Sequence, residues 1–96
     1  MVALAPPAFV VHRERLKDTF EVVGLDPERA RPRAPGERLR RELTSLGIAS
    51  CDLTDALVSA AEQGAQLYFT YDGHWTADGH RVVSERLAAC LNGESI

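Results

Sequence analysis

The hydrophobic positions of the chain fall into short runs and spaced stripes that predict alternating strands and helices. Val2-Ala3-Leu4-Ala5 is a continuous apolar run closed by Pro6-Pro7, the pattern of a strand covered on both faces in a parallel sheet, although periodicity alone also fits a helix. From Arg13 to Val23 the apolar residues Leu16, Phe20 and Val23 recur at i, i+4 and i+7 before Gly24, which predicts an amphipathic helix with a glycine stop. Leu39, Leu43 and Leu46 form a second stripe within Glu37–Leu46, ended by Gly47. Ile48 to Leu53 has strand character, and a short helix follows to about Gln63, capped by Asp52 or Thr54 and stopped by Gly64. Leu67-Tyr68-Phe69 predicts a short aromatic strand, with Tyr68, Phe69 and Phe20 expected in the core. The last helix starts near Thr76 or Asp78 and carries Val83, Leu87 and Leu91 along one face up to Asn92-Gly93.

Between the first two helices, residues 25–36 hold Pro27, Pro32 and Pro35 among arginines and predict an irregular surface connection. Strands alternating with helices place the chain in the α/β class with a mainly parallel sheet. In such sheets ligands sit on loops beyond the carboxyl ends of the strands. The segment Thr70–Trp75, between an expected strand and an expected helix, occupies that position.

Composition narrows the possibilities. Ninety-six residues suffice for one small domain, taken here as 1–96. The formal charge of −3, from 11 Lys+Arg against 14 Asp+Glu, offers no basic face for nucleic acid. The arginines from Arg29 to Arg41 alternate with Glu28, Glu37 and Glu42 and read as a solvated loop and helix face. No run is long enough for a membrane span. Met1–Phe9 lacks the basic start of a signal peptide, and the compartment is left open. Cys51 and Cys90 are most simply two buried small hydrophobes, with a bridge between them left open.

The sharpest local feature is Asp72-Gly73-His74-Trp75, followed by Gly79-His80. A histidine near neutral pKa is suited to take a proton from a hydroxyl and return it to a leaving group. A carboxylate on its other ring nitrogen fixes the tautomer and stabilises the imidazolium. With the two residues only two positions apart, the backbone must turn back on itself, a turn expected to use the freedom of Gly73. Trp75 is expected to wall the imidazole from water. His12 is a candidate for the rim of the site, though a partly exposed histidine at a helix start is the simpler reading. His80 is expected in the first turn of the last helix. Asp72, His74 and His80 are also potential metal ligands, but their spacing is not a zinc pattern, so neither a metal nor another cofactor is expected.

Tyr71-Asp72-Gly73-His74-Trp75-Thr76-Ala77-Asp78-Gly79-His80 ahead of an amphipathic helix resembles the closing motif of the SGNH (GDSL-type) hydrolases. There an Asp and a His lie close together near the C-terminus and a Gly opens the last helix. The resemblance extends to Val2–Pro7 as a late sheet strand and to Gly47–Leu53 as the strand leading into an Asp-Leu pair. It implies a flavodoxin-like three-layer α/β/α fold, here incomplete and with a short sheet, as if a longer chain had been cut at Met1. It further implies cleavage of an acyl or acetyl ester, esters on carbohydrates included, with His74 as base, Asp72 as its orienting carboxylate, and Trp75 and His12 toward the substrate. The family's nucleophile lies in a Gly-Asp-Ser motif after the first strand. Ser45, Ser50, Ser59, Ser84 and Ser95 sit in no such motif, and the oxyanion-hole Gly and Asn blocks are missing too. The chain is therefore expected to give no useful ester turnover alone and to self-associate or bind a partner that supplies the missing strands. A non-catalytic interaction module derived from the same fold is the competing reading.

Overall fold

The computed structural model describes residues 1–93. Ser95 lies outside them. The apolar run at the N-terminus forms β1 (Val2–Leu4), and after Pro6-Pro7 come α1 (Ala8–Val11) and α2 (Glu14–Val22). A 3₁₀ turn over Pro27–Arg29 leads to α3 (Ala34–Ser45), then β2 (Ser50–Asp52), α4 (Thr54–Glu62) and α5 (Ala77–Leu91). β1 and β2 pair in parallel, Val2 opposite Ser50 and Leu4 opposite Asp52. The ladder is closed at its ends by Val2 N–H on the Ala49 carbonyl (2.9 Å) and Leu53 N–H on the Leu4 carbonyl (3.0 Å). The α/β class with a short parallel sheet is therefore what the chain forms.

Most expected elements are present with shifted ends, and each shift has a local cause. α3 starts ahead of Glu37 because Pro35 falls in its first turn, where the missing N–H has no helical partner to lose. α4 is opened by Asp52, whose Oδ1 accepts the Thr54 N–H at 2.9 Å, and α5 by Thr76, whose Oγ1 accepts the Gly79 N–H at 3.1 Å. Gly47 (φ 72°) and Gly64 (φ 96°) turn the chain out of α3 and α4 in the left-handed conformation open to glycine.

Two expectations fail. The aromatic segment 67–69 is not a strand: it makes a single antiparallel bridge, Tyr68 to Trp75. Side chains take the place of a neighbouring strand there, His12 accepting the Leu67 N–H and Arg15 donating to the carbonyls of Tyr68 and Phe69. Phe69 is consequently 52% exposed, not core, while Tyr68 is buried. The cysteines are also more than hydrophobes. Cys51 and Cys90 form a disulfide with their Cα atoms 6.0 Å apart, tying β2 to the last turns of α5.

The core gathers where β2, α4 and α5 meet. Cys51, Leu53, Leu57, Leu67, Tyr68, Val82 and Val83 pack together with Val11 of α1. α3 touches β2, and its start is joined to α4 by an Arg33–Asp55 ion pair. No helix among the described residues is long and apolar enough to cross a membrane.

Candidate active site

The segment from Phe69 to Trp75 is a loop pinned at its neck. Phe69 N–H donates to the His74 carbonyl (3.1 Å) and Thr76 N–H to the Leu67 carbonyl (3.0 Å). Thr76 Oγ1 adds a third tie by donating to the Gln66 carbonyl (2.6 Å). Gly79, in the first turn of α5, lies directly over this neck. A Cβ there would stand 2.2 Å from the Leu67 carbonyl oxygen and 2.9 Å from Trp75 Cβ, so the start of α5 comes this close only because the residue has no side chain.

Within the loop, Asp72 does the turning. Its Oδ1 accepts the His74 backbone N–H at 2.8 Å and also meets the His74 ring at Nδ1. The backbone contact is an Asx-type turn, and it replaces the expected role of Gly73, whose φ is not in the left-handed region and whose Cβ position is open space. The Asp72 carboxyl is held below its ordinary pKa, first by the His74 N–H and then by the His74 side chain. With Nδ1 held by the carboxylate, Nε2 is left as the proton-accepting nitrogen. The His74 and Asp72 side chains are 87% and 55% exposed, so water screens their pairing.

Trp75 does not cover this imidazole. It is half-buried against the core and meets the ring of His80 edge-on, with centroids 5.5 Å apart. The apolar wall thus supports the start of α5 and leaves His74 open. Nor does His12 reach toward the dyad. It is 5% exposed, its Nε2 accepts the Leu67 N–H at 3.1 Å, and its ring packs edge-on to Tyr68. Burial first, and then the charge of Arg15, lower its pKa against a smaller opposing effect of Glu14. The imidazole is therefore neutral and braces the chain entering the loop. The partly exposed surface position is not what this residue occupies.

Among the described serines, Ser45 and Ser84 donate to carbonyls of their own helices, those of Glu42 and Arg81, and none hydrogen-bonds to His74. The described residues contain no group of three or more His, Cys, Asp or Glu that could hold a metal ion. A cleft of about 310 Å³ lies just past the carboxyl ends of β1 and β2, walled by Pro6, Phe9, Pro35 and Leu39 with Asp52 at its edge. This is the place where open α/β sheets take ligands. Phe9 also lines the shallow depression that reaches Asp72. The larger trough of about 820 Å³ along α3 and β2 has no wall from the loop.

Sequence reasoning misses Arg15, which holds the neck from α2. On a polar helix face it has nothing to set it apart from Arg13 or Lys17. The tightness at Gly79 is signalled only by its place three residues after a capping Thr.

A family model described as SGNH hydrolase-like domain, acetyltransferase AlgX, matches residues 1–95. No curated protein and no solved structure matches the chain.

Proposed function

Because the chain belongs to the SGNH hydrolase-like family of the acetyltransferase AlgX, whose members are of hydrolase or acyl-transferase type, we propose that Asp72 and His74 are the acid–base pair of a serine-dependent acyl-transfer site. The observation that carries this reading is the Asp72 carboxylate on Nδ1 of His74 with Nε2 left free, on a loop leading into a helix. His74 Nε2 takes the proton of a serine hydroxyl as its oxygen attacks the acyl carbonyl, and returns that proton to the departing alcohol. The acyl-serine is then cleaved by water or a second hydroxyl, with Nε2 again taking and returning one proton. The substrate class is a small acyl or acetyl ester, and the serine comes from a nucleophile-bearing segment other than residues 1–93.

Two measurements test this. The chain alone should show no hydrolysis of p-nitrophenyl acetate that disappears in His74→Ala. In the native polypeptide or assembly that supplies the serine, a fluorophosphonate should label one serine. Acetyl-ester turnover there should fall on the order of 10⁴-fold in Asp72→Asn, and at least as far in His74→Ala. Turnover and labelling that survive both substitutions overturn the reading.

A further inference from the structure

Arg15 is the one charged side chain of α2 that reaches across to the loop. Its Nη1 donates to the Phe69 carbonyl at 2.9 Å, and its Nη2 donates to the Tyr68 carbonyl at 3.1 Å and approaches Gln66 Oε1 at 3.5 Å. Two successive carbonyls aimed at one guanidinium mark the point where the extended chain bends into the loop, since in a regular strand they would alternate in direction. A planar fork with several donors is suited to hold two carbonyls at once, which a lysine ammonium is not.

The contact continues to the dyad. The Tyr68 carbonyl, which accepts from Arg15, and the Phe69 N–H are the two ends of one peptide group, and that N–H donates to the His74 carbonyl. A cation on the carbonyl polarises the N–H of the same peptide group, so Arg15 tightens the hydrogen bond that holds the backbone of His74. Around it stand His12, buried and neutral, and Glu14, whose carboxylate is 3.7 Å from His12 Nδ1. Neither makes a hydrogen bond to the loop carbonyls. Nothing in the Asp-x-His-Trp stretch itself supplies this anchor.

We propose that Arg15 is a positioning residue: by clamping the Tyr68 and Phe69 carbonyls it sets the loop in which Asp72 meets His74. The inference rests on the acid–base reading of that pair for its functional meaning, but its test does not.

Arg15→Met keeps the stem and removes the donors. In the chain alone, amide exchange of Phe69 should accelerate about tenfold while that of Val82 and Val83 in the core stays unchanged. The ¹⁵N signals of the His74 ring should shift from the single Nδ1–H tautomer toward a mixture. Arg15→Lys, able to reach one carbonyl, should restore part of both signals. Loop exchange and tautomer identical to the parent in Arg15→Met overturn the proposal. Should that variant fail to fold, Arg15→Lys decides, an unchanged tautomer counting against it. In the serine-bearing assembly, Arg15→Met should lower kcat and leave KM near its original value. A His74→Ala variant that remains active defeats the acid–base reading alone, whereas an unperturbed loop in Arg15→Met defeats the positioning role alone.

Discussion

Residues 50–93 and residues 13–49 carry similar amphipathic helices, yet the first group covers them far more fully, although Leu91 at the end of α5 is exposed. α4 and α5 share a core with β2 in which Leu53, Leu57 and Leu67 are almost wholly buried. α2 and α3 bury one residue each, Leu16 and Leu43. The stripe expected on α3 is real in its spacing, but Leu39 is 48% and Leu46 70% exposed. The radius of gyration of 14.0 Å exceeds the value of about 12.5 Å for a compact globule of this length, as an arm of weakly covered helices requires. Periodicity therefore reports which face is apolar and not whether anything covers it. The covered half is also the half that holds the loop.

The largest effect that could break this contrast concerns the disulfide. A bridge spanning 39 residues stabilises by about 4 kcal/mol in the chain-entropy account, a large share of the stability of a small domain. Urea unfolding of the Cys51→Ala/Cys90→Ala variant should show a loss of that order. An unchanged midpoint would mean that the core of residues 50–93 holds without its staple. Next in size, Leu57→Ala should cost about 2–5 kcal/mol, and Leu39→Ala no more than about 0.5 kcal/mol. Equal costs would erase the difference between the two regions.

How far this was legible depends on whether a property is local. β1 and β2, the helix stops at Gly47 and Gly64 and the cap at Thr76 were readable because each depends on a few neighbouring residues. The contact between Asp72 and His74 was readable because a separation of two positions suffices to bring the carboxylate onto Nδ1 of the ring. What stayed hidden depends on partners distant in the chain: Arg15 on carbonyls 53 and 54 residues away, the Leu67 N–H on His12, Cys51 on Cys90. Trp75 shows the same limit. Its place beside His74 in sequence suggested a wall for that ring, while its packing is decided by the start of α5 and His80.

Gly79 sharpens the contrast within the covered half. With a Cβ meeting backbone at 2.2 Å, Gly79→Ala should cost about 1–3 kcal/mol as α5 withdraws from the Leu67 carbonyl, and Trp75 fluorescence should report the shift. An alanine at Gly73, where space is open, should leave that fluorescence unchanged. If both substitutions behave alike, the neck of the loop is not held by the close approach of α5.

The smallest effect separates the support of the loop from the loop itself. His12 is buried with Nε2 committed as an acceptor, so protonation there removes the partner of the Leu67 N–H and places a charge beside Arg15. Its folded pKa lies below the ordinary 6.5, and the unfolded chain therefore binds the proton first as pH falls. The contribution of His12 is fully present above pH 6.5 and is lost progressively below it, toward the folded pKa. Asp72 also titrates below its ordinary value, but from a carboxylate range well under that of histidine and on the exposed surface, so it adds nothing to this window. Thermal unfolding between pH 7.5 and about 5 should thus show a decline in the parent that is flattened in His12→Gln, whose amide oxygen still accepts the Leu67 N–H without titrating. A slope that persists unchanged in His12→Gln would overturn the assignment, since the buried brace would then not be the pH-sensitive element.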